Sequence, residues 1–438
     1  MKTAILGAGL TGLTLARLLR EKGEEITVLE KEKEIGGLCR SKTEEGFTFD
    51  IGGSHIIFSR DTEVYDFMCG LLRENRDTRD RNTKIFYKDS YVKYPFENGL
   101  YQLPPDDRFF CINEFVKNLI ALEKGELKEP ENFREWVYYT FGKGIAESYM
   151  IPYNEKIWNF PTEKMSHHWV EGRIPRPPVE DIIKASIGIE TEGYTHQSVF
   201  SYPVKGGIEA LIHAIAEPIK NDIIREFCVR TIKRDKDGSF IIGNGNEEIR
   251  CDKIISTLPP QILLPCMEDV PEEVISACRD LKYNSIACVG IGVKGDLNDI
   301  SWLYIPQTEL GPANRISFPS NYSVEVSPEG HSSILAEITF NEGDRISAMS
   351  DEEIAESAIA TLCRMGIMKS PDDAVYKTVE RFDYAYVVYD TEYQNNVKIV
   401  RNYIESAGID PVGRFAEFEY LNMDGCIRRV LDYTKDLS

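Results

Sequence analysis

The chain has 438 residues, of which 51 are Lys or Arg and 72 are Asp or Glu, giving a net charge of −21 at pH 7. Such an excess of negative charge disfavours nucleic acid and anionic membrane surfaces as partners, and an anionic ligand would have to find a local basic pocket against the overall field. Hydrophobic residues at 42% and charged residues at 28% exclude a disordered chain, and the length calls for two or three domains.

The opening run Lys2-Thr3-Ala4-Ile5-Leu6 predicts a short buried strand. Gly7-Ala8-Gly9-Leu10-Thr11-Gly12 follows at once, and Leu13, Leu15, Leu18 and Leu19 then recur at helical spacing until Gly23. Ile26-Thr27-Val28-Leu29 predicts a second strand, with Glu30 and Lys31 at its tip. Strand, glycine-rich turn, helix, strand and terminal acid, in that order, make a dinucleotide cradle. Gly7 allows the tight turn, Gly9 lets the backbone approach a pyrophosphate, and Gly12 lets helix and strand pack closely. The first helical turn, at Leu10 and Thr11, offers unpaired N–H groups and a partial positive charge to the phosphates. Glu30 can accept hydrogen bonds from an adenosine ribose.

Two more glycine pairs come next, in Glu34-Ile35-Gly36-Gly37-Leu38-Cys39-Arg40-Ser41 and in Phe47-Thr48-Phe49-Asp50-Ile51-Gly52-Gly53-Ser54-His55. Backbone without side chains is needed where a flat cofactor presses on the chain. Together these runs resemble the two-dinucleotide-fold flavoproteins, the family that includes amine oxidases, protoporphyrinogen oxidase, phytoene desaturase and UDP-galactopyranose mutase. The resemblance implies FAD, with Gly36, Gly37 and Leu38 beside its ribityl-phosphate chain and Gly52 and Gly53 under the isoalloxazine ring. It also implies an α/β fold: an FAD-binding dinucleotide fold of the glutathione-reductase kind, with inserted helical and antiparallel-sheet substrate domains.

The cofactor domain is expected to return twice. Tyr202-Pro203-Val204-Lys205-Gly206-Gly207-Ile208 opens a helix with Leu211, Ile212 and Ile215, leading to strands around Val229, Phe240-Ile241-Ile242 and Lys253-Ile254-Ile255-Ser256. The last return is Asp410-Pro411-Val412-Gly413-Arg414-Phe415, followed by a helix from about Asp424. By resemblance, Val229 touches the adenine through its backbone, Thr257 lies near the phosphates, and Gly413 and Arg414 lie against the flavin. The FAD-binding domain is thus read as residues 1–96, 200–265 and 381–438. Residues 97–199, with helical spacing at Phe115, Leu119, Ile120 and Leu122, read as a helical substrate-side insertion. Residues 266–380 read as a mainly antiparallel-sheet substrate domain, from apolar runs at 286–293 and 333–340 and a helix at 351–365.

The ten cysteines are scattered without a CxxC pair, which fits buried thiols in a reducing cytosol and gives no metal site. A strand starting at Lys2 leaves no room for a signal peptide, and no apolar run approaches the ~18 residues of a membrane span. A cytoplasmic protein without membrane insertion is expected, and an oligomer is compatible with the sequence.

The middle of the chain narrows the resemblance. Tyr94-Pro95-Phe96-Glu97-Asn98, Pro152-Tyr153-Asn154-Glu155-Lys156-Ile157-Trp158, Met165, Trp169 and Gly172-Arg173 resemble the eukaryotic-type UDP-galactopyranose mutases. The likeness continues at Trp302-Leu303-Tyr304-Ile305-Pro306, Arg315, Ser320-Asn321-Tyr322-Ser323, Arg381-Phe382-Asp383-Tyr384-Ala385-Tyr386, Gly413-Arg414-Phe415 and Tyr420, so it covers most of the chain. It implies a nucleotide-sugar substrate whose diphosphate is clamped by Arg173, Arg315, Tyr386 and Tyr420, with Tyr304 on the same side. Guanidinium forks suit phosphate oxygens through short charge-assisted bonds. Asn154 and Trp158 match residues lining the nucleotide and sugar region, and Tyr94, Glu97 and Gln197 match residues near the nucleobase. His55 matches a flavin-side Gly-Gly-His loop, although here Ser54 is added between Gly53 and His55, and either residue could take the loop position. Relatives have a glutamine where this chain has Glu97. Two readings of it stand: a carboxylate turned to solvent or paired with a lysine such as Lys93, or one that accepts from the donor edge of a different base.

No Ser-His-Asp, Cys-His or metal-ligand set stands at useful spacing, which agrees with chemistry carried by a cofactor. In the mutases this chain resembles, N5 of reduced FAD attacks the anomeric carbon, the nucleoside diphosphate leaves and returns, and no net redox change results. The resemblance therefore implies an isomerase, with Arg173, Arg315 and His55 at the reacting centre and NADH or NADPH as the reductant. The alternative is an FAD-dependent oxidase or desaturase of the protoporphyrinogen oxidase or amine oxidase type, which would want an apolar or aromatic tunnel in place of an Arg/Tyr clamp. A flavin-dependent binding or assembly protein without turnover is the third reading.

Overall fold

The computed structural model describes residues 1–170, 173–174, 176–191 and 199–436. Its first layer is a five-stranded parallel sheet in the order Ile409–Pro411, Lys253–Ser256, Lys2–Leu6, Glu25–Leu29, Ile223–Ile224. Ala4, Ile5, Leu6, Ile254 and Ile255 are fully buried, as expected of strands covered on both faces. The helix Leu10–Glu21 crosses back over this sheet and packs through Leu13 and Ala16 beside Ile427 and Val430 of the last helix, Met423–Asp436. A Cβ on Gly12 would lie 2.0 Å from the carbonyl oxygen of Gly7, so the helix could not approach the strand turn this closely with any other residue there.

The second layer is a seven-stranded sheet in the order Ala374–Val388, Lys282–Lys294, His331–Phe340, Arg315–Ser317, Trp302–Tyr304, Thr83–Tyr87, Ser90–Lys93. Its pairings are antiparallel except that between Trp302–Tyr304 and Thr83–Tyr87. Alternation along the strands divides the two faces. Ala287, Val289, Ile291, Ile334 and Ala336 turn towards the helix Asp351–Arg364, whose start carries a capping box between Ser350 and Glu353. Ile286, Cys288 and Leu335 turn the other way, onto a core shared with Phe47, Phe49 and the helical insertion. The strands Thr83–Tyr87 and Ser90–Lys93 lie in the stretch 1–96 read as part of the cofactor domain, yet they hydrogen-bond into this second sheet. Likewise Ala374–Val388 continues past residue 380.

Within residues 97–191 lie the helices Pro105–Glu123, Phe133–Ile145, Ile151–Trp158 and Val179–Ser186. This stretch packs Cys111, Phe115, Trp136, Phe141 and Tyr149 against the second sheet's edge at Ile85, Tyr87 and Val92. No helix among the described residues is long and apolar enough to cross a membrane.

Candidate functional site

A cavity of about 840 Å³ runs between the two sheets. At one end its wall is Gly7, Gly9, Leu10, Thr11, Glu30 and Lys31; Gly36, Gly37, Leu38, Gly52, Gly53, Ser54, His55, Val229, Thr257 and Arg414 continue it. The opposite end is closed by Arg81, Trp302, Tyr304, Arg315, Tyr386 and Tyr420. Gly12 and Gly413 stand behind this wall. Both glycines serve packing: a Cβ at Gly413, whose φ is +95°, would lie 2.6 Å from the Thr11 side chain.

The first end offers N–H donors and a buried carboxylate. The helix Leu10–Glu21 begins at Gly9 with no side-chain cap, leaving its first N–H groups to whatever enters the cavity. A Cβ on Gly9 would meet nothing within 4 Å, so the space in front of it is open. Glu30, only 8% exposed, accepts from Ala8 N at 2.7 Å and Glu32 N at 3.0 Å, which ties the glycine turn to the second strand. Each oxygen keeps a further lone pair. Charges on the wall nearly balance in a chain that is strongly acidic: Lys31, Arg40, Arg81, Arg315, Arg381 and Arg414 stand against Glu30, Glu32, Glu34, Asp383 and Asp424.

At the opposite end Arg315 is the central cation. It donates from Nε and Nη2 to Glu337 Oε1 at 3.0 and 2.8 Å, and from Nη2 to Oε2 at 2.6 Å. Its Nη1 group makes no hydrogen bond among the described residues, and neither do the hydroxyls of Tyr304, Tyr386 and Tyr420. Tyr386 and Tyr420 lie 5.7 Å apart between ring centroids, and Arg414 stacks over both, at 5.5 and 4.7 Å. Trp158 meets the same two rings edge-on at 6.0 and 5.6 Å.

The Ser54 insertion is accommodated towards the sheet. Ser54 N donates to Glu337 Oε1 at 3.0 Å, and its Oγ meets Tyr322 Oη and Trp302 Nε1, each at 3.0 Å. His55 Nδ1 lies 2.7 Å from Gly53 O. Burial, with Arg414 and Arg315 nearby, pushes its pKa down to about 4, so the ring is neutral at pH 7. A carbonyl can only accept, which makes Nδ1 the donor and leaves Nε2 as an acceptor.

Other residues marked from the sequence stand off the cavity wall. Arg173 is exposed; it donates to the Tyr420 carbonyl and stacks on that ring at 4.8 Å and on Tyr389 at 5.8 Å. It lines a separate hollow with Ser166, His168, Trp169 and Glu419. Asn154 and Trp158 are buried and bonded to each other, Trp158 Nε1 donating to Asn154 Oδ1 at 3.1 Å while Asn154 Nδ2 donates to Met150 O at 2.7 Å. Tyr94 packs behind Tyr304 at 5.0 Å. Gln197 lies outside the described residues.

Glu97 is neither turned to solvent nor paired with Lys93. It is 3% exposed, and Lys93 Nζ donates instead to Thr191 O at 3.1 Å. Burial pushes its pKa up to about 7.

Three wall or near-wall residues were given no role from the sequence. Arg81 stacks between Tyr94 and Trp302 at 5.4 and 5.3 Å, Tyr153 packs on Tyr304 at 5.1 Å, and Glu337 holds Arg315. Only Tyr153, next to Asn154 in a quoted motif, was within reach of pattern reading.

Residues 10–396 match the family described as flavin containing amine oxidoreductase. The chain belongs to that family. Membership implies FAD, and the cavity fits it: open backbone at Gly9, an uncapped helix N-terminus and the buried Glu30 carboxylate line one end, and Gly36, Gly37, Gly52 and Gly53 continue the wall. Among curated proteins the chain is 23% identical over 220 residues to the dTDP-fucopyranose mutase of Escherichia coli, covering 46% of this chain and 54% of that protein. It is 37% identical over 99 residues to the 4,4'-diapophytoene desaturase of Staphylococcus aureus strain MRSA252, covering 22% and 20%. The chain thus spans about half the length of the first and a fifth of the second. Its structure is similar to that of reduced UDP-galactopyranose mutase, with a TM-score of 0.90 and 29% identity over 100% of this chain and 96% of the other.

Two glycines should separate fold from cofactor. Gly12→Ala is expected to lower stability by about 2–3 kcal/mol, because its Cβ meets backbone. Gly9→Val should leave the melting temperature of the apoprotein unchanged yet abolish FAD uptake, read as lost flavin absorbance; a Gly9→Val protein as yellow as wild type would contradict the cradle.

Glu97 should also show in stability against pH. Its folded pKa near 7 lies above the unfolded value near 4.5, so the stability that its protonated form contributes is present below pH 4.5 and lost as pH rises through 7. Glu97→Gln should therefore gain on wild type between pH 5 and pH 8, by up to about 3 kcal/mol. A gap in melting temperature that is equal at the two pH values would contradict a buried, unpaired carboxyl.

Proposed function

We propose that this chain is a flavin-dependent nucleotide-sugar mutase that interconverts pyranose and furanose rings without net redox change, in the manner of the UDP-galactopyranose mutases. One observation carries the reading: the Arg315 Nη1 edge and three tyrosine hydroxyls, all without hydrogen-bond partners among the described residues, share one cavity with the FAD cradle. A diphosphate would satisfy all four, each charge-assisted bond contributing about 1.5–3 kcal/mol. An apolar desaturase or oxidase substrate would leave them unsatisfied, at about 1–3 kcal/mol each. The full-length likeness to reduced UDP-galactopyranose mutase supports the same reading, and the likeness to a dTDP-fucopyranose mutase supports the wider class of nucleotide sugars. The motifs at Tyr94-Pro95-Phe96 and Trp158 extend the proposal to the eukaryotic-type subgroup.

When bound and reduced, FAD supplies the nucleophile for the anomeric carbon and keeps its electrons over the cycle. NADH or NADPH is proposed as the source of those electrons. Arg315 and the hydroxyls of Tyr304, Tyr386 and Tyr420 hold the nucleoside diphosphate while it is detached and return it to the sugar. Tyr386 and Tyr420, backed edge-on by Trp158, wall the sugar side and exclude water. Neutral His55 braces the Gly53–Ser54 turn through its Nδ1–H. For Arg173 to act as the second cation, it must leave the outer face of Tyr420 and turn inward. Glu97, near neutrality, offers an O–H donor and a carbonyl acceptor as an amide would; to take part in base selection with Tyr94 and Gln197, as proposed, it must be uncovered, because neither Glu97 nor Tyr94 lines the cavity.

The test is to incubate the reduced protein with UDP-, GDP- and dTDP-hexoses and to follow ring-isomerised product and reductant together. Product should form only with reduced protein and without stoichiometric reductant use. One hydride transferred per product would identify an oxidase or desaturase instead.

A further inference from the structure

We infer that Glu337 is a positioning residue that sets the anion affinity of the Arg315 clamp and couples that clamp to the Gly53–Ser54 turn. The inference rests on the reading of Arg315 as the diphosphate site. Arg315 and Glu337 are direct cross-strand partners between Arg315–Ser317 and His331–Phe340. Strand alternation puts Glu337 on the face of Leu335, towards the cavity side of the sheet. The Glu337 side chain is 1% exposed and that of Arg315 19%. A carboxylate this deep requires a compensating charge, and the described residues provide it only through Arg315 and the Ser54 N–H.

Three consequences follow from this geometry. The two-toothed contact fixes the guanidinium plane, so that Nη1 is the edge left for a ligand. Arg315 meets an incoming anion as half of a neutral pair, and the ligand shares the guanidinium with Glu337 instead of meeting a full positive charge. Glu337 Oε1 also accepts from Ser54 N, and a Cβ on Gly53 would sit 3.7 Å from the carboxylate, so the cavity floor and the clamp are bonded to one group. A diphosphate that must leave and be recaptured needs a hold of moderate strength, and the shared guanidinium provides it.

A merely structural ion pair and an affinity-setting one predict opposite signs. If Glu337 only braces Arg315, removing its charge disorders the arginine and weakens anion binding. If it tempers Arg315, removal strengthens binding. The experiment measures the dissociation constants of UDP and inorganic pyrophosphate for the FAD-loaded protein by calorimetry at low and moderate salt. Glu337→Gln keeps an acceptor for Arg315 and Ser54 but lacks the charge, and should bind both ligands about 10-fold more tightly, with a steeper salt dependence. Glu337→Asp withdraws the charge by one methylene and should tighten binding by about 3-fold; it decides the matter should the Gln variant fail to fold. Unchanged or weaker binding in the folded variants overturns the role of Glu337. Arg315→Ala separates the two levels: if it binds pyrophosphate and UDP as wild type does, the functional reading of Arg315 has failed, whereas loss of binding there without tightening at Glu337 removes the present inference alone.

Discussion

The close approach of the first helix to the first strand is the constraint on which the cavity depends. Gly12 lies so near the carbonyl of Gly7 that any side chain would separate the two elements. This approach aims the uncapped N-terminus of Leu10–Glu21 into the space between the sheets. The neighbouring turn is pulled in by Glu30, whose carboxylate bonds Ala8 N from the tip of the next strand. Gly413 then lets the last return of the chain pass over Thr11, which brings Arg414 and Tyr420 to the same cavity from the C-terminal side. One steric requirement thus orients a dipole, a carboxylate and an arginine towards one volume.

The second sheet supplies the opposite wall by alternation. Along Lys282–Lys294 and His331–Phe340, every other side chain feeds the core under Asp351–Arg364, and the intervening ones face the cavity side. Arg315 and Glu337 fall on that second set and meet across adjacent strands. A charged pair in this position costs desolvation that hydrophobic residues would not. Its presence is understandable as part of a binding surface, because the guanidinium keeps one edge free and the tyrosines around it keep theirs. The acidic surface of the chain and the near-neutral cavity wall are compatible: local basic groups, not the net charge, set the field inside the cavity.

Much of this was legible in the sequence where the signal is local. Strand, Gly7-Ala8-Gly9-Leu10-Thr11-Gly12, helix and Glu30 can be read in order because each residue's role is fixed by near neighbours. The long apolar runs of the second sheet and the helix started by Ser350 were similarly plain. What escaped depends on pairing over distance. Thr83–Tyr87 and Ser90–Lys93 are short strands whose sequence does not say which sheet they join. Glu337 sits in an apolar strand 22 residues beyond Arg315, and only register brings them together. Lys93 is four residues from Glu97, which suggested a pair, but its side chain reaches Thr191, and the carboxyl is left buried. Arg173 matches a motif, yet its position on the outer face of Tyr420 follows from how the insertion packs.

The most direct test of the account is a structure of the reduced, FAD-loaded protein with a nucleoside diphosphate bound. Phosphate oxygens are expected within about 2.7–3.2 Å of Arg315 Nη1 and of the Tyr304, Tyr386 and Tyr420 hydroxyls, with Glu337 still holding the other edge of the guanidinium. A diphosphate seated elsewhere, with those four groups still without partners, would contradict it.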